Sequence, residues 1–250
     1  MTFYILNGDC IADQHKQTSI RGQQIVCAEC LIDGDLSGDT LSEFWESRAR
    51  FISDSYAASS DEYYTKVVSA FETILKLPKD AEVSLWFEND LFCQANMWFV
   101  LSLLNKRPPA TLYRVFPVIE NPINQWKGFG VSNARQLEEA YQSKVKLSRE
   151  DLNLGANLWN AYKLGDFKTL KELSRQSSTV FQQLEEVVQA HIDRFPADHT
   201  LGRPEKAIKE LIEHKSTDFK VVFAEFSKNH GIYGFGDTQV QQMYDRLVRK

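Results

Sequence analysis

The chain has 250 residues, 43% of them apolar and 12% aromatic, so it can bury a full core in one large or two modest domains. Residues 1–120 carry 17 acidic and 10 basic side chains, and residues 200–250 carry 7 and 9. This acidic N-terminal half disfavours nucleic acid as a partner.

The chain shows no segment for membrane insertion. No apolar run approaches the ~18 residues of a membrane span, and the first residues lack a basic region followed by a long apolar one. We expect a soluble, cytoplasmic protein without membrane contacts. The four cysteines are then reduced thiols, since they are too few for a disulfide framework.

Strands and helices alternate over the first 120 residues. Apolar runs predict strands at 3–6, 24–32, 83–87 and 111–119. Helical periodicity predicts helices that begin after Asp39, span 61–77, and run from the N-cap Asp90 to about Asn105. This alternation predicts an α/β domain over 1–120, with a mainly parallel sheet and helices on both faces.

Helical periodicity continues to the end of the chain. Residues 121–130 break both periodicities, so 121–135 is predicted as a linker and 136–250 as an all-α C-terminal domain. Ser132, Asp166 and Thr179 stand in N-cap positions. Pro204, Asp218 and Asp237 open three final helices, which could form a unit similar to a helix-turn-helix.

Acidic residues lie at or near the C-terminal ends of three of the predicted strands. Asp9 follows the first, Glu29 lies in the second, and Glu88 and Asp90 follow the third. Because parallel strands end at one sheet edge, where ligands bind in open α/β sheets, we expect a site there. Asp9, Glu88 and Asp90 are candidate Mg²⁺ ligands. The alternatives are ligand binding without metal, or solvated turn and cap residues.

Arg48 is the candidate anion ligand, because its guanidinium lies one helix from this edge and could fork onto a phosphate. An ordinary helix-face ion pair is the alternative interpretation. The Cys27-x-x-Cys30 spacing lies within a predicted strand, so its thiols face opposite sides and do not indicate a shared metal.

Several of these residues resemble a known bacterial family, the domain of unknown function 1835, over residues 3–120. The resemblance rests on Asn7-Gly8-Asp9, Glu29, Arg48 and the stretch LWFENDLFCQ at 85–94. The segments Arg194-Phe195-Pro196, Leu201-Gly202 and Glu205 are similar to its companion, the domain of unknown function 3658. The resemblance adds Asn7, Gly8 and Gln94 to the site and implies no activity or cofactor.

We therefore predict binding of a phosphate-bearing small ligand or nucleotide at the carboxyl edge of the N-terminal sheet, with Mg²⁺ as a candidate cofactor. The alternative is a regulatory or adaptor module whose terminal helices bind a protein or nucleic acid. It depends on the Gln and Arg residues of the last helix, which are types that read bases.

Overall fold

The computed structural model describes residues 1–121, 125–198 and 200–249. Their sheet has five strands in the order β2-β1-β3-β4-β5. The first four strands are parallel, and β5 pairs antiparallel to β4. The strands are β1 (Thr2–Asn7), β2 (Gln23–Cys27), β3 (Glu82–Trp86), β4 (Thr111–Val115) and β5 (Val145–Lys146).

Helices cover both faces of the sheet, as predicted. The short helix α1 (Asp9–His15) and α6 (Ala134–Gln142) pack on one face, over Tyr4, Leu6 and Trp86. The other face is covered by α2 (Leu41–Tyr56), α3 (Ser60–Tyr63), α4 (Ser69–Leu75) and α5 (Leu91–Lys106).

The remaining chain is helical apart from β5. Its helices are α7 (Arg149–Lys163), α8 (Phe167–Leu173), α9 (Leu184–Ile192), α10 (Arg203–His214), α11 (Phe219–Asn229) and α12 (Asp237–Val248), with 3₁₀ turns at Gly128–Val131 and Gly231–Tyr233. Helix α7 packs along α5, where Gly155 leaves room for Leu101. One apolar cluster therefore continues from the sheet into α12. None of the described helices is long and apolar enough to cross a membrane.

Three predicted elements differ from the structure. Strand β2 ends at Cys27 instead of residue 32, because the following carbonyls of Cys30 and Asp33 accept hydrogen bonds from Arg48 and not from a neighbouring strand. Cys30 therefore lies in a loop. Strand β4 likewise ends at Val115, not at residue 119.

The helix predicted over 61–77 is interrupted by a π-helical turn at Tyr64–Val68. There the Thr65 and Ser69 hydroxyls donate to the carbonyls four residues earlier and compete with the helical N–H groups.

Some helix starts agree with the prediction and others shift. Asp90, Asp166 and Asp218 are N-caps, as predicted. Thr40 and Asn133 cap α2 and α6 where Asp39 and Ser132 were expected. Helix α9 begins only at Leu184, five residues after Thr179, and α12 is capped by Gly236. The predicted linker includes residues 122–124, which lie outside the described residues.

The strand order locates a crevice for ligands. From β1 the chain passes to β2 on one side, and later returns to β3 on the other side of β1. The loops after β1 and β3 therefore diverge to opposite faces, and open α/β sheets bind their ligands at such a switch point.

Candidate functional site

The start of helix α5 brings three ligand-forming side chains together. The Asp90 carboxylate caps the helix and accepts a hydrogen bond from the Cys93 backbone N–H at 3.0 Å. Glu88 lies two residues before this cap, at the end of β3. As a result, single ligand atoms of Glu88, Asp90 and Cys93 lie within 4.8 Å of one another.

The Cys93 thiol is held from two sides. Its Sγ donates to Glu88 Oε2 at 3.0 Å and accepts from Asn7 Nδ2 at 3.0 Å. Asn7 ends β1, and its Oδ1 accepts from Asn96 Nδ2 at 2.9 Å. The three groups thus lie between the carboxyl ends of β1 and β3, at the switch point.

Negative charge in this cluster is compensated only in part, by the nearby Arg114 guanidinium, whose charge lowers the pKa of Glu88 by less than burial raises it. Asp90 and Cys93 are buried and Glu88 is half-buried. Burial raises the pKa of the Glu88 carboxyl, and burial together with the Glu88 charge raises the pKa of Asp90 to about 7. Burial and both carboxylates raise the pKa of the Cys93 thiol well above its usual value. The N-terminus of α5 favours anions here but supplies only a partial positive charge.

Arg114, the fully buried arginine beside the cluster, does not bind either carboxylate directly. Its Nη2 donates to the Glu88 carbonyl at 3.0 Å and to Asn89 Oδ1 at 2.8 Å, and its Nη1 donates to the Val180 carbonyl. Arg114 therefore shapes the β3–α5 turn and ties it to the helical region, while the carboxylates remain available for another cation.

Two glycines from later parts of the chain close over the carboxylates. A Cβ at Gly128, where φ is +59°, would lie 2.2 Å from Glu88 Cγ, and a Cβ at Gly234, where φ is +63°, would lie 2.0 Å from Asp90 Oδ1. The Phe129 N–H donates to Glu88 Oε1 at 3.1 Å. These approaches require glycine, because any side chain would displace the carboxylate.

Glu29 and Arg48 form a separate, saturated ion pair. Arg48 is fully buried, and its Nε and Nη2 each donate to the Glu29 carboxylate at 2.9 Å. The remaining N–H groups donate to the carbonyls of Cys30, Asp33 and Asp35. Tyr63 donates to Glu29 Oε1 at 2.6 Å. The guanidinium has no N–H left for a phosphate, so Arg48 forms an ion pair, which is buried instead of lying on an exposed helix face.

The other predicted site residues lie around the cluster. Asp9 begins α1 and is exposed, and it is not part of the Glu88, Asp90 and Cys93 group. Gly8 has φ of +94°, and a Cβ there would meet nothing within 4 Å. Gln94 is buried and accepts from Trp98 Nε1 at 3.1 Å.

Sequence reasoning did not identify Cys93 as a ligand. The available signal was the N-cap at Asp90, because the third helical residue after a cap lies beside the capping side chain. Asn96, Arg114 and Gly234 reach the site through tertiary packing, for which a single sequence carries no comparable signal.

The donor set suits a particular class of metal. Two carboxylates and one thiolate match Zn²⁺ and similar transition metals, which accept sulfur and oxygen ligands, better than Mg²⁺, which takes oxygen ligands. Among the described residues, Glu88, Asp90 and Cys93 are the acidic, cysteine or histidine side chains that lie close enough together to hold one ion.

Comparisons with known proteins add no further information: no family model, curated protein or solved structure matches this chain. The resemblance to the domain of unknown function 1835 stays a prediction, and the site is interpreted from its geometry.

Proposed function

We propose that the protein binds a divalent transition-metal ion through Glu88, Asp90 and Cys93, and that this ion recruits a phosphate-bearing small ligand at the carboxyl edge of the sheet. The observation that carries the proposal is the convergence of the three ligand atoms within 4.8 Å at the switch point. A divalent ion would compensate charges that burial otherwise disfavours.

The metal also accounts for the surroundings of the thiol. Metal ligation requires a thiolate, so binding displaces the proton that Cys93 now donates to Glu88. The Asn7 amide already donates to this sulfur and would continue to stabilise its negative charge. Mg²⁺, the cofactor predicted from the carboxylates, is replaced in this proposal by a metal that accepts sulfur.

The phosphate would reach the metal from outside the cluster. The Phe129 N–H contacts Glu88 and Gly234 lies against Asp90, whereas a Cβ at Gly8 would meet nothing within 4 Å. The donors of Arg48 and both Nη atoms of Arg114 are engaged within the protein. A phosphate would therefore bind through the metal, with its oxygen atoms completing the coordination shell.

Thermal unfolding in the presence of metals and nucleotides tests this proposal. Zn²⁺ or Co²⁺ alone should raise the melting temperature more than Mg²⁺, and ATP or AMP should raise it further only when the metal is present. A ligand at 100 times its Kd stabilises by about 2.7 kcal/mol. The Glu88→Gln/Asp90→Asn variant, which retains the cap and one of the two Glu88 acceptor atoms, should lose both shifts.

The matched control is Asp9→Asn, which removes an exposed carboxylate that follows β1 but lies outside the cluster. It should retain both shifts. If metal still raises the melting temperature of the double variant, the metal site is contradicted. If metal raises the melting temperature of the wild type but no nucleotide raises it further, only the phosphate ligand is contradicted.

The adaptor alternative would use a face of α12 that is engaged within the protein only in part, since the Arg249 side chain is 81% exposed. In α12, Gln239 donates to Tyr56 at 2.8 Å and Gln242 donates to the Ser55 carbonyl at 3.4 Å, so both contact the end of α2. Arg246 pairs with Glu205 at 3.2 Å. The geometry therefore favours an architectural role for this helix.

A further inference from the structure

A cavity beside the β2–α2 loop is lined by none of the residues of the Glu88 cluster. Its volume is about 450 Å³, within the range of small-molecule pockets. One wall is the loop from Leu31 to Leu36, and the other is formed by the ends of α7 and α9 and the start of α8. We call it the loop cavity. Neither the proposed metal nor its ligand uses it.

Aromatic rings form much of the helical wall. His191 lies 4.5 Å from the Tyr162 ring, 5.7 Å from Phe167 and 5.5 Å from Phe195, measured between ring centroids. Tyr162 is fixed by its hydroxyl, which donates to the Leu31 carbonyl at 3.0 Å. Phe195 is 51% exposed, which is unusual for a residue of this size. Tyr162 and His191 are buried, so a flat apolar molecule would contact mainly the exposed part of the Phe195 ring.

The charged groups in the wall balance one another. Asp33 pairs with Arg194 at 2.8 Å. The other charged residues of the wall are Asp35, which is negative, and Lys163, which is positive. Burial lowers the pKa of His191 to about 3, so this ring is neutral at physiological pH. The wall therefore has no net charge with which to attract a strongly anionic ligand such as a nucleotide phosphate.

We propose that the loop cavity binds a small, uncharged, planar aromatic molecule. The ring would lie against Phe195, beside the buried Tyr162 and His191, and the polar atoms of the loop would contact its edge. This site differs in chemistry from the Glu88 cluster, which is anionic and suited to a metal, and the inference does not depend on the proposed function.

Saturation-transfer NMR with indole and adenine, two uncharged planar probes, tests the inference on the full-length protein. Both probes should receive saturation from the wild-type protein, and AMP, which adds a charged phosphate to adenine, should bind the cavity more weakly. Phe195→Ala should weaken binding about two- to tenfold, the usual value of one aromatic contact. Its side chain is half exposed, so this variant should fold.

Leu164→Ala is the matched control, because Leu164 is 79% exposed and does not line the cavity. It should bind like the wild type, and so should Glu88→Gln/Asp90→Asn, which keeps this test separate from that of the metal site. The inference is overturned if neither probe binds, if Leu164→Ala and Phe195→Ala bind equally well, or if the Glu88→Gln/Asp90→Asn variant loses binding.

Discussion

At the scale of single residues, the polar groups at the sheet edge divide into two kinds. Arg48 and Glu29 satisfy each other and the surrounding carbonyls, so they hold the β2–α2 loop in shape. Glu88, Asp90 and Cys93 instead concentrate acidic groups without a direct cationic partner among the described residues. The first group stabilises the fold, whereas the second is arranged for a ligand.

Arg48→Lys should therefore destabilise the protein by about 3 kcal/mol, because one ammonium cannot replace the five donors of the guanidinium and Glu29 is left partly unpaired. Arg50→Lys, an exposed position two residues further along α2, is the control and should change stability by less than about 0.5 kcal/mol. Urea unfolding measures both. Equal effects would show that the buried pair does not hold the loop.

His191 should make stability depend on pH. Its pKa is lowered by burial from 6.5 to about 3. Between these two pH values the unfolded chain therefore binds a proton at this residue that the folded chain does not bind. The stabilisation is complete above the unfolded pKa and is lost as the pH falls from about 6.5 towards 3, with a loss of about 2 kcal/mol at about pH 5.

Urea unfolding at several pH values measures this loss. His191→Phe should unfold with a shallower acid dependence than the wild type, and the exposed His214→Gln control should retain the wild-type dependence. An unchanged dependence in His191→Phe would contradict this assignment.

At the scale of elements, the closure of the site depends on two turns far along the chain. The 3₁₀ turn at Gly231–Tyr233 ends at Gly234, whose backbone lies against Asp90 and whose φ of +63° is rarely adopted by other residues. This turn therefore fixes the position of the Asp90 carboxylate from outside the α/β part of the chain.

Gly234→Ala should lower stability by about 2 kcal/mol or more, since strain at positive φ is added to a clash with Asp90. Gly165→Ala isolates the strain, because Gly165 has φ of +65° and open space around it. Chemical denaturation of both variants gives the difference, and metal titration shows whether Gly234→Ala also weakens the site. Equal destabilisation of the two variants would mean that Asp90 moves away from the new side chain at no cost in the free energy of unfolding.

The sequence predicted the four parallel strands and the position of Asp90 because these depend on local periodicity and capping. It did not predict β5, which lies in the region expected to be all helical. It did not predict that β2 stops at Cys27, because that depends on Arg48, which lies 21 residues later and draws the loop around its guanidinium. Similarly, the strand-end carboxylates were grouped by topology, yet Cys93 joins the cluster and Asp9 does not. Where β2 ends and which side chains join the cluster depend on the direction of the side chains and on contacts with distant parts of the chain.

At the scale of the whole molecule, the apolar core is shared between the sheet and the helical region. Helix α5 is buried against the sheet on one side and against α7 on the other, and β5 returns from the helical region to the sheet edge. Neither part can lose its packing without exposing the other.

We therefore expect one cooperative urea transition, with far-ultraviolet circular dichroism and tryptophan fluorescence giving the same midpoint. The tryptophans report on both parts, since Trp86 lies in β3 and Trp159 in α7. Two separated midpoints would show that the helical region unfolds independently.

Cobalt titration tests the central claim, that Cys93 and the two carboxylates form a metal site. Co²⁺ bound to a thiolate produces a near-ultraviolet charge-transfer absorption that carboxylate ligands do not give. We expect this band to saturate at one ion per chain, to disappear in Cys93→Ser, and to remain in Cys10→Ser, which removes an exposed thiol outside the cluster. Absence of the band in the wild type, or its persistence in Cys93→Ser, would contradict the account.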